Sequence, residues 1–116
     1  MEKAFYWFQQ AAENGFINAQ NNLGLMYEKG EGIEKDLTKA FYWYQKAAEN
    51  GLGMAQNQLA TLYSTGEGVE ENLEKTFYWA QKAAENGHID AQSGLGWIYY
   101  SGQGTERNIE KLFIGF

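Results

Sequence analysis

One histidine, fifteen carboxylates and no cysteine are what this chain offers for reactive chemistry. His88 stands alone just after a glycine, in the place that Phe16 and Leu52 hold elsewhere in the chain. A lone imidazole without cysteines or clustered carboxylates does not make a metal site, because zinc takes three or four protein ligands. A structural or solvated role is expected for it. The missing cysteines exclude disulfides, thiolate zinc sites and sulfur nucleophiles. The carboxylates are spread at a regular spacing and are not paired around one point. No S-x-x-K, G-x-S-x-G or H-E-x-x-H occurs. The GEG turns at 30–32 and 66–68 lack the further glycines, the lysine and the preceding strand of a phosphate loop. No catalytic, cofactor or metal residue is therefore assigned, and a non-enzymatic function is expected.

Charge narrows the partners. Nine basic against fifteen acidic residues give −6, with no basic cluster. Such a chain neutralises phosphate backbones poorly, so neither nucleic acid nor an anionic membrane is an expected partner. The start, MEKAFYWFQQ, has no continuous apolar core or small-residue cleavage site, so no signal peptide is expected. No stretch approaches the roughly 20 apolar residues of a membrane span. A cytoplasmic setting is the expectation. The 116 residues suit one domain.

What positions these side chains is a 36-residue period that runs without insertion or deletion. It aligns Phe5, Phe41, Phe77 and Phe113; Gly15, Gly51 and Gly87; Leu23, Leu59 and Leu95; and Tyr27, Tyr63 and Tyr99. AFYWYQKAAENG, from Ala40 to Gly51, recurs from Ala4 and from Thr76 with two changes in each copy. Each period holds two helical patterns. In the first, Leu37, Ala40, Phe41, Trp43, Tyr44, Ala47 and Ala48 share an arc of roughly 160° at helical spacing. Asp36, Asn72 and Asn108 precede it as N-caps, and Asn-Gly closes it with glycine in the left-handed conformation. The second pattern spans about residues 18–29, 54–65 and 90–101. Asn18 and Asp90 suit its N-cap, whereas Met54 does not. Gly24, Ala60 and Gly96 place a minimal side chain where a neighbouring helix can come close. A G-x-G turn follows, and glycines alone reverse a chain without proline.

Two helices per period, small residues at crossings and aromatic locks imply an all-α fold, an αα-solenoid. The residues also resemble the Sel1-like repeats, relatives of the tetratricopeptide repeats. The match runs through AQNNLGLMYEKGEGIEKDLTKAFYWYQKAAENG (Ala19 to Gly51) and its later copies, and covers essentially the whole chain. The resemblance implies a right-handed superhelix of antiparallel helix pairs, about seven helices in all. Its phase makes 1–14 a stray second helix, followed by repeats at 15–50, 51–86 and a truncated 87–116. It also implies adaptor or scaffold roles through protein or peptide binding. Some Sel1-like proteins are disulfide-bonded and have been linked to β-lactam chemistry. Without cysteine or a nucleophile–base pair, that role does not carry over.

The repeat separates joint from surface. Phe41, Trp43 and Tyr44 are expected to pack between helices, repeated because the interface repeats. Tyr42 lies about 200° from Ala40, in the polar arc, as do Tyr6 and Tyr78. These three rings are expected on the outer surface, partly exposed, as possible partner contacts. In tetratricopeptide-like folds the first helix of each pair lines a concave groove. The resemblance therefore implies that the non-core face of these helices binds a partner. That face carries Asn18, Asn21, Asn22, Leu25 and Glu28 in the first repeat. The second presents Met54, Asn57, Gln58, Thr61 and Ser64. The third presents Asp90, Ser93, Trp97 and Tyr100. Leu25, Thr61 and Trp97 form one row, and Trp97 with Tyr100 suits a hot spot.

The ends lack the polar caps that a solenoid needs. Phe5, Trp7 and Phe8 lie at one end and Phe113, Ile114 and Phe116 at the other. The expectation is a piece cut from a longer array. The alternative is a self-assembling element that forms a homo-oligomer through these ends, as an open filament or a closed dimer.

Overall fold

The computed structural model describes residues 2–101, with side chains for 3–96 and 100. Its six helices are α1 (Glu2–Glu13), α2 (Ile17–Lys29), α3 (Leu37–Glu49), α4 (Gly53–Thr65), α5 (Leu73–Glu85) and α6 (Ile89–Ser101). No strand occurs among the described residues. Each helix packs chiefly on its neighbours in the chain, which makes an αα-solenoid. The expected seventh helix, after Asn108, lies outside the described residues.

The odd-numbered helices start and stop as their sequences dictate. The Asp36 carboxylate accepts the Lys39 N–H at 3.1 Å, and the Asn72 side chain accepts that of Lys75 at 3.0 Å. At the other end Gly51 has φ 93°, and the Leu52 N–H returns to the Ala47 carbonyl at 3.2 Å. That closure satisfies carbonyls the helix would otherwise leave open.

The even-numbered helices begin one residue earlier than expected. Phe16 and Leu52 occupy the N-cap positions with no side-chain cap bond. Asn18 and Asp90 therefore fall inside the first turn and do not cap. The preceding glycine turn already sets the direction of the chain, and the Leu52 carbonyl accepts the first helical bond, from Gln56 at 3.0 Å. In the third copy His88 caps instead, its Nδ1 accepting the Ala91 N–H at 3.1 Å.

Alanine lets the helices close. Ala40, Ala47, Ala48 and Ala55 are buried around Tyr44, Leu59, Leu62 and Tyr63. Gly24 meets its neighbour as expected: a Cβ there would fall 2.6 Å from the Tyr44 ring. Gly96 has no neighbour within 4 Å among the described residues, so no close crossing is seen there. Phe41 meets Tyr63 edge-on at 5.3 Å, as Phe5 meets Tyr27 at 5.9 Å. Trp43 reaches back onto the cluster of Ala12, Ala19 and Leu23, and Trp79 onto the next cluster along. Trp7, the equivalent residue of α1, is 65% exposed. Phe5 and Phe8 turn inward onto α2, so of the three apolar residues expected at this end only Trp7 projects outward.

A side-chain amide recurs at each junction, buried at Gln20 and Gln56 and exposed at Gln92. Gln56 donates to the Ala48 carbonyl at 3.0 Å and accepts from the Asn86 side chain at 2.8 Å. Gln20 makes the equivalent bond to Ala12 at 3.2 Å, and Gln92 to Ala84 at 3.1 Å. Replacing Gln56 by Met keeps volume but leaves the buried carbonyl without a donor. Urea unfolding should show a loss of about 2 kcal/mol. The exposed Glu70→Ala control should stay within about 0.5 kcal/mol of the parent.

Candidate protein-binding surface

Helices α2, α4 and α6 carry the variable face, and the structure divides its residues. Asn18, Thr61, Asp90, Ser93 and Tyr100 are exposed, and Met54 is half exposed. Asn22, Leu25, Glu28, Asn57, Gln58 and Ser64 are partly buried. The side chain of Trp97 lies outside the described set, as do Phe113, Ile114 and Phe116. Asn21 departs from expectation: only 5% of it is exposed. It lies beneath the start of α4, its Nδ2 3.4 Å from the Met54 sulfur, and its Oδ1 is buried without a hydrogen bond among the described residues. With its side chain against Met54 and so little of it exposed, Asn21 is not available to a partner.

Glu28 is engaged from within. Tyr44, fully buried, donates its hydroxyl to the Glu28 carboxylate at 2.5 Å. Burial, then the hydrogen bond and charge of Glu28, push the Tyr44 hydroxyl far above its ordinary range. It therefore stays protonated as a donor.

Asn57, Thr61 and Ser64, spaced as one stripe of α4, come together along a cleft between α4, α5 and α6. The cleft has a volume of about 230 Å³. Its remaining walls are Ala60, Leu73, Thr76, Phe77, Ala80, Ala91 and Gly94. The expected surface contained the α4 side of this cleft. It missed Leu73, Thr76, Phe77 and Ala80 on α5, which the helical arc had assigned wholly to the joint. Ser64 donates to the Thr61 carbonyl at 2.9 Å, which leaves its hydroxyl oxygen able to accept.

On the other side, Tyr6, Tyr42 and Tyr78 are 53, 50 and 51% exposed. Each meets the edge of the following tryptophan at about 5 Å. Lys46 lies over Tyr42 at 5.4 Å and Lys82 over Tyr78 at 5.5 Å. These contacts account for the two rings structurally without any partner. No cluster of three or more histidine, cysteine or acidic ligands occurs among the described residues. No described helix is long and apolar enough to cross a membrane.

Stacked antiparallel helix pairs that present one variable face define a helical-repeat scaffold. The chain belongs to the Sel1 repeat family, whose model matches residues 1–16, 17–52, 53–88 and 89–111. Members are generally protein-interaction scaffolds and typically not enzymes. The fold is similar to that of a Sel1 repeat protein from Oxalobacter formigenes (TM-score 0.87, 40% identity, 91% of this chain and 44% of that one). It is also similar to a protective antigen of uropathogenic Escherichia coli with an SLR fold (0.84, 40%, 87% and 22%). A third likeness is to Helicobacter pylori cysteine-rich protein B (0.74, 30%, 77% and 67%). The chain spans less than half the length of the first two.

The Tyr44–Glu28 pair sets a pH response. A hydroxyl whose folded-state pKa is raised stabilises the fold below the ordinary tyrosine value of about 10. The contribution is lost as pH climbs above that value, because the unfolded chain releases the proton first. Stability should fall by up to about 1.4 kcal/mol per pH unit there. Tyr44→Phe should cost about 1–2 kcal/mol at neutral pH and flatten this alkaline decline, as read by urea unfolding between about pH 8 and 11.

Proposed function

We propose that this domain is a binding module that holds a protein or peptide partner along the α2–α4–α6 face, concave in folds of this kind. The carrying observation is the contrast between joint and face. The ladder of amide bonds from Gln20, Gln56 and Gln92 recurs at the described junctions, while the residues between them on this face differ from copy to copy. A scaffold ordered in advance spends little conformational entropy on binding, so modest contacts yield useful affinity. Trp97 and Tyr100 are the anchors of the third repeat in this reading. Trp97→Ala with Tyr100→Ala should abolish partner capture from a lysate of the source organism while leaving helicity by circular dichroism unchanged. Tyr42→Ala with Tyr78→Ala should leave capture intact. The opposite pattern would place binding on the outer face and overturn the proposal.

A second reading rests on the exposure of Trp7. In this reading the end of α1 is covered by another copy of the chain, in the position where α1 and α2 cover Trp43. Light scattering should then show a mass that rises with concentration and a Trp7→Ser variant that stays monomeric. A parent chain that is monomeric throughout would end this reading.

A further inference from the structure

We infer that the cleft between α4, α5 and α6 receives an aromatic side chain, preferably tyrosine, from the bound peptide. The inference rests on the binding reading above and names its anchor. Its basis is the occupant of the same place one repeat earlier. The column at 36-residue spacing reads Phe8, Tyr44, Ala80 and Phe116, and Ala80 alone lacks a ring. In the first full copy the Tyr44 ring lies on Gly24, so close that a Cβ on that glycine would come within 2.6 Å, and its hydroxyl reaches Glu28. In the next copy Ala60 stands where Gly24 does, Ala80 where Tyr44 does, and Ser64 where Glu28 does. The extra methyl of Ala60 replaces little of the missing ring.

What remains is the 230 Å³ cleft, walled by Ala60, Ala80 and Ala91, which are 4, 5 and 1% exposed. Those walls are already apolar and withdrawn from solvent, so an aromatic ring can bury much of its roughly 150–250 Å² there without moving the backbone. Ser64 offers a hydroxyl oxygen at the end where Tyr44 finds its acceptor. That selects a phenol over a plain phenyl group. Thr61 at the rim gives the incoming peptide polar contact.

The test uses N-acetyl-L-tyrosinamide as probe and amide NMR of the whole chain as readout. Saturable shifts are expected at Thr61, Ser64, Thr76, Ala80 and Ala91, with affinity at least about tenfold above that for N-acetyl-L-alaninamide. N-acetyl-L-phenylalaninamide should bind more weakly, and Ser64→Ala should remove that difference. Ala60→Gly with Ala80→Tyr rebuilds the earlier copy. It should raise the melting temperature and abolish the probe shifts. Ala80→Leu fills part of the cleft without the helix glycine and should weaken probe binding if the double variant does not fold. No saturable shifts, equal binding of the alanine probe, or shifts that persist in a filled cleft would overturn the inference. Failure here is distinct from failure of the scaffold reading. If the filled cleft still captures the partner while Trp97→Ala with Tyr100→Ala does not, only the aromatic anchor falls. If neither variant loses the partner, the scaffold reading falls with it.

Discussion

The architecture leans on one side-chain amide at each junction between helix pairs. Gln56 sits where the start of α4 passes the end of α3, and a helix end exposes carbonyls with no partner of their own. Close packing excludes water from Ala48 O, so a side chain must supply the missing donor. Gln56 does so at 3.0 Å and offers its own oxygen to Asn86 at the end of its own repeat at 2.8 Å. One residue thus joins α3, α4 and the end of α5. Gln20 repeats the pattern, though more loosely: Asn50 stands at 3.5 Å from its oxygen. The amide fixes the offset between consecutive helix pairs, and the 36-residue period repeats it without insertion.

Around that fixed joint, volume is exchanged between facing positions. Gly24 and Tyr44 form a glycine–ring pair, whereas Ala60 and Ala80 form a pair of alanines. The backbone spacing is held by the amides, so the helices do not collapse to fill what the smaller pair leaves. Interiors that cannot relax keep their voids. The cleft is thus a consequence of a rigid repeat accepting an unequal side-chain exchange. Here packing density is traded for a concavity between α4, α5 and α6.

Much of this was legible in the residues. Period, helix pairing, the Asp36 and Asn72 caps and the Gly24 crossing all follow from local rules that no tertiary contact overrides. The starts of α2, α4 and α6 did not, because the turn closed by Leu52 N–H on Ala47 O replaces the cap expected of Asn18 and Asp90. Burial of Asn21 was also illegible. A helical arc divides core from surface for one neighbour, and Asn21 is covered by a second one, the α4 start at Met54. The break at Ala80 stood in the open within TFYWAQKAAENG. Its meaning required knowing that the ring of Tyr44 faces Gly24 and Glu28, and not solvent or the next pair.

The aromatic run that dominates the sequence is consequently split three ways by the fold. Phe41, Trp43 and Tyr44 serve the joints, while Tyr42 lies outside, held by Trp43 and Lys46. In the third copy the run loses its last ring, and a cleft stands at that place. A repeat protein gains binding specificity most cheaply in this way. Its interfaces must stay uniform to stack, so variation is tolerated only on faces that no neighbour covers, or where loss of a side chain leaves the stacking amides untouched. Ala80 meets the second condition: Gln56 and Gln92 flank it with their bonds intact at 3.0 and 3.1 Å, so the exchange that removes the ring and its hydroxyl bond leaves the stacking amides in place.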